Sequence, residues 1–133
     1  MILKSPFFIS AGLNAAIKVG GAEIEMEEFG YDRDDRTIYA YRIALPDGTI
    51  HESHDLKSGC GRTPPLQEMF STLLSFMGAC GESLSYASRT GKEGENADLF
   101  PLPVAKWCAA HSDELSMLQL ELDEMPGLIA DKD

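Results

Sequence analysis

Apolar and polar residues alternate with a period of two through the first half of the chain, a pattern typical of half-buried β-strands. Residues 22–31, AEIEMEEFGY, predict the first clear strand. The doublet Glu27–Glu28 interrupts its alternation, which predicts a bulge before Phe29. A second strand is predicted over 37–45, TIYAYRIAL, because β-branched and aromatic residues dominate it.

Turn signals separate these segments and add a third strand. The polar run DRDD at 32–35 predicts the first turn, and Pro-Asp-Gly at 46–48 predicts the second. The chain then returns as TIHESH, 49–54, so the three strands form an antiparallel meander. Before them, PFFIS at 6–10 predicts a possible fourth strand, and LNAAIKV at 13–19 fits either a short strand or a short helix.

The apolar period changes to that of a helix after residue 62. Thr63 and Pro64 predict the helix start, as a capping hydroxyl followed by proline in the first turn. Gly78 and Gly81 weaken helix propensity but allow another element to approach closely. The predicted apolar seam comprises Leu66, Phe70, Leu73, Met77, Cys80, Leu84 and Ala87.

A second helix is predicted between Pro103 and the pair Pro126–Gly127. At His111–Ser112 its chemistry changes, and a kink or a new helix start is expected there. The seam repeats the spacing of the first and comprises Val104, Cys108, His111, Leu115, Leu118, Leu122 and Met125.

These elements predict one α+β domain spanning 1–133, an antiparallel meander of three to four strands packed against an antiparallel two-helix hairpin. Its parts are 1–61, mainly β; 63–125, two long helices with a linker at 88–102; and a tail at 126–133. The alternative is a helical dimerisation module, in which one seam pairs with its copy. Packing within one chain, and hence a monomer, is favoured.

The charge balance narrows the possible partners. Twenty-two acidic residues against eleven basic ones give a net charge of −11. Such a field repels nucleic acids and anionic membranes and attracts basic surfaces. A basic protein or ribonucleoprotein is therefore the expected partner, with no direct nucleic acid and no membrane. Three widely spaced cysteines indicate a reducing, cytoplasmic compartment.

The acidic residues concentrate in two segments, 21–35 and 107–133, with seven acids in each. In the first segment, Glu23, Glu25 and Glu27 alternate along one strand, about 6–7 Å apart. Such a row can imitate a phosphate backbone to a nucleic-acid-binding protein. The predicted partner-binding residues are Glu23, Glu25, Glu27, Glu28, Asp32, Asp34, Asp35, Glu121, Asp123 and Glu124.

The segment HESHDLKSGCG, 51–61, offers an alternative, a small thiol- or metal-dependent enzyme centred on His51, His54 and Cys60. Its residues include zinc ligands and a possible nucleophile with its base. Residues three apart on a strand point to opposite faces, so the two histidines are not expected to meet at one ion. A second pair, Cys108 and His111, fits helix packing better than chemistry. No catalytic residue, metal site or cofactor is predicted.

A family resemblance is carried by four runs, YRIALPDGTIHESHDLKSGCG, LLSFMGACGES, ADLFPLPVAKW and DELSMLQLELDE. They resemble small acidic accessory proteins of phages, plasmids and integrated mobile elements. The resemblance covers residues 39–124 and has no functional motif whose positions carry over. It implies an inhibitor of the anti-CRISPR kind, which blocks a basic nucleic-acid-binding surface of a defence complex in the host cytoplasm.

Overall fold

The computed structural model describes residues 8–10, 14–92 and 94–124. Within these residues, five strands form one antiparallel sheet in chain order, and three helices follow. The predicted α+β class and antiparallel meander are confirmed. The strands are β1 Phe8–Ser10, β2 Asn14–Val19, β3 Ala22–Tyr31, β4 Thr37–Ala44 and β5 Ile50–Lys57.

The strands follow the sequence pattern closely. β3 occupies the predicted 22–31, and its register against β4 shifts between Glu28 and Gly30, which confirms the bulge. The two uncertain segments at 6–10 and 13–19 contain the strands β1 and β2. The sheet therefore has five strands, compared with the three to four expected. Gly20 and Gly21, with φ of 56° and 83°, make the tight β2–β3 turn. Such angles favour glycine, which has no Cβ.

The second predicted helix is divided into two helices. The kink or new helix start expected at His111–Ser112 is thus confirmed, while the number of two long helices is wrong. The helices are α1 Leu66–Thr90, α2 Leu102–Ala110 and α3 Ser112–Asp123. Between α2 and α3, His111 leaves the helical conformation with φ −124° and ψ 30°. Its backbone N–H is shared between the carbonyl oxygens of Trp107 and Cys108, at 3.0 and 3.3 Å. The chain bends there without a side-chain cap.

The start of α1 also differs from the prediction. Pro65 precedes its first residue, Leu66, and no side chain caps the helix. The Thr63 hydroxyl, predicted as the cap, lies 2.9 Å from the hydroxyl of Thr37 on β4. Tertiary hydrogen bonding therefore uses the group that the local sequence assigned to the helix.

One hydrophobic core lies between the sheet and the helices. Ile24 of β3 and Ile43 of β4 are fully buried in it, together with Phe70 of α1 and Leu115 of α3. α1 runs antiparallel to α2 and α3, because Ser71 near its start donates to Asp123 and Gly81 meets Cys108. Most residues of the two predicted seams are buried in this core, as the predicted packing within one chain requires.

Several sequence expectations concern residues near the helix layer. Gly81 does allow close approach, because an added Cβ would lie 2.7 Å from the carbonyl carbon of Cys108. The same expectation for Gly78 is wrong, since nothing lies within 4 Å of its added Cβ.

Met125 and the tail at 126–133 lie outside the described residues. Within the described part of the chain, no helix combines the length and apolar character needed to cross a membrane.

Candidate interaction surface on the open sheet face

The predicted row of carboxylates lies on the sheet face that the helices leave uncovered. Ala22, Ile24 and Met26 of β3 are buried under the helices, so the residues between them point to the opposite, open face. Glu23 is half-buried there, and Glu25 and Glu27 are exposed. The expected placement of these three residues on one strand face is confirmed.

A cation from the neighbouring strand interrupts this row. Arg42 of β4 is the register partner of Glu25 on one side and of Glu52 on the other. Its guanidinium lies 3.6 Å from Glu25 Oε1 and 3.5 Å from Glu52 Oε2. All three side chains are 41–66% exposed, so these ion pairs contribute little stability. Exposed Lys18 of β2 is in turn the register partner of Glu23. The face is therefore a mixed strip of carboxylates and cations, and the simple row of the prediction needs correcting.

A shallow depression of about 460 Å³ lies on the same face. Glu25, Glu27, Arg42 and Glu52 line it together with His54. The register places the small side chain of Ala40 opposite Glu27, between the two charged strands. Charged side chains thus surround the depression, and the small side chain of Ala40 leaves room at its centre. This arrangement suits an inserted polar or cationic side chain.

An aromatic pair stands at one end of this face. The rings of Phe29 and His54 lie with their centroids 4.6 Å apart, and Phe29 is 57% exposed. Phe29 occupies the β3 bulge, between Glu28 and Gly30. Exposed rings next to carboxylates are suited to an arginine guanidinium, which stacks on planar groups while it hydrogen-bonds to oxygen.

Glu28, which was also predicted to bind the partner, does not lie on the open face. Its register partner is Tyr39, which is buried on the helix side. Burial raises the pKa of Tyr39 to about 12, and the negative charges of Glu28 and Glu68 add to the effect. The Tyr39 hydroxyl donates to the carbonyl oxygen of Pro64 at 2.9 Å. Glu28 therefore affects a buried tyrosine and not the candidate surface.

The predicted contact residues of the β3–β4 turn have a structural role in part. The carboxylate of Asp32 accepts the backbone N–H groups of Asp34 and Arg36, at 2.9 and 3.0 Å, and lies 3.5 Å from Lys57 Nζ. The N–H of Arg36 has the largest effect in holding the pKa of Asp32 below its ordinary value. Asp35 adopts a left-handed conformation, with φ of 64°. The side chains of Asp34 and Asp35 are exposed, but that of Asp32 is committed to the turn.

The C-terminal acidic residues lie on the other side of the molecule. Glu121, Asp123 and Glu124 belong to the end of α3, in the layer that covers the opposite face of the sheet. Asp123 Oδ1 accepts the hydroxyl of Ser71 at 2.6 Å, which ties α3 to α1. The sheet and its core separate this group from Glu23, Glu25 and Glu27. The two acidic segments therefore form two surfaces, not one.

The histidines and the cysteine of the alternative enzyme site do not converge. His51 faces the helix layer, between the rings of Tyr41 and Phe100, with centroids 5.8 and 5.7 Å away. His54 lies on the open face, so the expected separation of the two histidines is confirmed. Among the residues that the structure describes, no group of three His, Cys, Asp or Glu side chains could hold a metal ion.

Cys60 connects its loop to the β3–β4 turn. Its thiol lies 2.7 Å from the carbonyl oxygen of Asp34, and the next N–H, that of Gly61, donates to Asp35 at 3.0 Å. Buried Ser58 holds the base of the same loop, because its hydroxyl accepts the N–H of Thr37 and donates to Arg62. The segment between β5 and α1 is therefore a hydrogen-bonded connection.

Cys108 and His111, the second predicted pair, have different structural roles. Cys108 is fully buried, and desolvation raises the pKa of its thiol to about 12. His111 stacks on Trp107 with ring centroids 4.3 Å apart, and its Nδ1 lies 2.9 Å from the carbonyl oxygen of Trp107. The stacked rings of Trp107 and His111 thus support the bend between α2 and α3. This agrees with the prediction that Cys108 and His111 serve helix packing and not chemistry.

Sequence reasoning did not assign four further residues to the open face, namely Lys18, Arg42, Glu52 and His54. The alternation within 37–45 puts Arg42 on the face away from the tyrosines. Its pairing with Glu52, however, depends on the register between β4 and β5. That register follows from the turn at 46–48, where Leu45 N–H donates to Thr49 at 2.8 Å and Gly48 N–H to Leu45 at 3.0 Å. Counting outward from this turn pairs Ala44 with Ile50 and Arg42 with Glu52.

Comparisons with protein-family models, with curated proteins and with solved structures find no match to this chain.

Proposed function

We propose that this protein is a non-enzymatic, acidic binding protein that attaches its open sheet face to a basic protein or ribonucleoprotein surface. The supporting observation is the strip of carboxylates around Arg42, on a sheet face that no described helix covers. An incoming lysine or arginine finds acceptor oxygens on both sides of the depression, and the charge of −11 speeds its approach.

Arg42 shapes this interaction. In the free protein it is within 3.6 Å of Glu25 and 3.5 Å of Glu52. A partner cation that takes these carboxylates has to share them with Arg42 or displace it. A surface that lacked this internal cation would bind any polycation more indiscriminately. The arrangement therefore favours a basic partner whose cations are spaced to reach Glu23 and Glu27 on either side.

The most concrete form of the proposal is an inhibitor of a bacterial defence complex, of the anti-CRISPR kind, acting as a monomer in the host cytoplasm. Its support is the resemblance of residues 39–124 to small accessory proteins of mobile elements, together with the acidic open face. In this form the carboxylates occupy positions that nucleic-acid phosphates otherwise take on the effector. Competition with nucleic acid is then the expected mode of inhibition.

The test is a gel-shift measurement of target-DNA binding by purified CRISPR effector ribonucleoproteins, with this protein as competitor. The perturbed variant combines Glu23→Gln, Glu25→Gln and Glu27→Gln, which removes three charges without adding any cation. We expect competition to weaken by about tenfold to hundredfold, as exposed charge pairs contribute up to about 1 kcal/mol each.

A matched control removes the same charge elsewhere. Glu82, Glu95 and Asp98 are exposed and belong to α1 and the linker after it, and they become Gln, Gln and Asn. The control separates a local surface from the effect of net charge. If both variants compete as well as the parent protein, or both lose the same fraction of activity, the open face is not the binding surface.

A further inference from the structure

The outward side of α3 carries two large apolar side chains that the fold does not use. Leu115, Leu118 and Leu122 are buried against the core, whereas Met117 is 62% exposed and Leu120 is 61% exposed. Residues three apart on a helix are neighbours, so these two side chains form one small apolar patch. Single exposed apolar residues are ordinary, but two adjacent ones on a helix of twelve residues call for a reason.

Acidic residues bracket this patch on both sides. Asp113 lies four residues before Met117, and Glu124 lies four residues after Leu120. Their spacing of 4, 3 and 4 places all four side chains on one stripe, which we name the outer stripe. Both carboxylates are exposed. The outer stripe thus has an apolar centre and an anionic group at each end.

The charges of α3 are poorly placed for the stability of the helix itself. Residues 112–124 contain five acids and no lysine or arginine. Asp113 lies in the first turn, where a negative charge is favourable, but Glu121, Asp123 and Glu124 lie at the C-terminal end, where the helix dipole disfavours it. The bond from Ser71 accounts for Asp123. Glu124 costs the helix stability, and a cation from outside would offset that cost.

We propose that the outer stripe binds an amphipathic helix of a partner protein, whose apolar side chains cover Met117 and Leu120 and whose lysine or arginine residues reach Asp113 and Glu124. Helices commonly recognise each other through such i, i+3, i+4 anchors. Charge decides between a heterologous partner and a second copy. Two outer stripes packed together would place carboxylates of both copies at the same contact, in molecules that each carry −11.

This surface is separate from the open sheet face. The buried side of α3 faces the core, so the outer stripe points away from the sheet, while Glu25 and Glu27 point away from the helices. The proposal therefore does not depend on the proposed function. Variants on one surface leave the other unchanged, and failure of either proposal can be recognised by itself.

The test uses two synthetic helical peptides as probes and fluorescence anisotropy as the readout. One peptide carries leucines on one face, flanked by lysines, and the other replaces every leucine by serine at the same charge. The protein variants are Met117→Ser combined with Leu120→Ser, and Ile50→Ser as the control, because Ile50 is 51% exposed on β5.

We expect the leucine peptide to bind the parent protein, and the double variant to bind it at least about tenfold more weakly, as for anchor residues at interfaces. Ile50→Ser should bind it as the parent does. Glu124→Gln provides a second signature, since it should weaken binding while raising the thermal midpoint, which loss of a merely structural carboxylate would not do.

Two results would overturn the proposal. One is equal affinity for the two peptides, or no binding of the leucine peptide, which would show that the apolar centre is not an anchor. The other is a parent protein that sediments as a dimer and a double variant that sediments as a monomer. In that case a second copy of the chain covers the outer stripe.

Discussion

The contact between α1 and α2 allows a sharp test of the fold, because two glycines of one helix differ in what surrounds them. A Cβ added at Gly81 would lie 2.7 Å from the carbonyl carbon of Cys108 and 2.8 Å from the nitrogen of Ala109. Both atoms belong to the backbone of α2, so no side-chain rotation relieves the clash. At Gly78, one turn earlier, nothing lies within 4 Å of the added Cβ.

The same substitution should therefore have opposite effects at the two positions. Either Gly→Ala change gains about 1 kcal/mol of helix propensity. Gly78→Ala keeps this gain and stabilises the protein. Gly81→Ala forces the two helices apart, and overpacking of this kind costs about 1–3 kcal/mol, so its net effect is neutral to clearly destabilising. The gain in helix propensity is the same in both variants, so it cancels in the difference between their free energies of unfolding. That difference, about 1–3 kcal/mol, measures the contact between α1 and α2 at Gly81.

Urea unfolding followed by far-ultraviolet circular dichroism and by the fluorescence of Trp107, the single tryptophan, measures both variants. Coincident transitions by the two probes support two-state treatment. In thermal melts the Gly81→Ala midpoint should lie about 4 °C or more below that of Gly78→Ala. Equal stabilisation by both substitutions would refute the close approach of α1 and α2 at Gly81, and with it the placement of the helix layer.

Two further predictions concern titratable groups. Desolvation lowers the pKa of His51 below its ordinary value of 6.5, so protonation favours the unfolded chain and the free energy of unfolding falls as the pH drops below about 6.5. His51→Gln should remove that part of the pH dependence in urea titrations, and an unchanged slope would contradict it. Burial raises the pKa of the Cys80 and Cys108 thiols, the latter to about 12, while Cys60 is exposed. A thiol reagent should label Cys60 alone in the native protein, and rapid labelling of Cys60→Ser would be inconsistent with this.

The strands were predictable because their signals are local. Alternation in 22–31 and 37–45, together with the turn residues between and after them, identifies which residues face the core without any tertiary information. The Glu27–Glu28 doublet even locates the bulge. The same alternation puts Glu28 on the face opposite Glu27, because the register shifts only after Glu28.

The break between α2 and α3 was expected only from the polar residues at 111–112, because the apolar spacing continues across it. Cys108 and Leu115 are seven residues apart, as in an unbroken helix, and both are buried. The bend depends on the backbone of His111 and on its stacking against Trp107, and neither changes the hydrophobic pattern. Periodicity indicates which residues are buried, but a helix that bends while keeping its seam gives the same periodicity as a straight one.

The candidate site could be predicted only in part, for a related reason. Acidic residues can be counted from the sequence, but whether two acidic segments meet depends on which face of the sheet the helices cover. Glu25 and Glu124 carry the same charge, yet the sheet and the core lie between them. Pairing Arg42 with Glu25 and Glu52 also requires the register of three strands.

The two proposed surfaces differ in the forces they offer, so salt should affect binding at each of them differently. The open face offers exposed charges around Arg42, which accelerate association and lose their effect as salt screens them beyond about 8 Å at physiological ionic strength. The outer stripe adds Met117 and Leu120, whose burial slows dissociation and depends little on salt. A partner bound through the open face should therefore lose affinity in salt mainly through its association rate. A partner bound through the outer stripe should keep a slow dissociation rate under the same conditions.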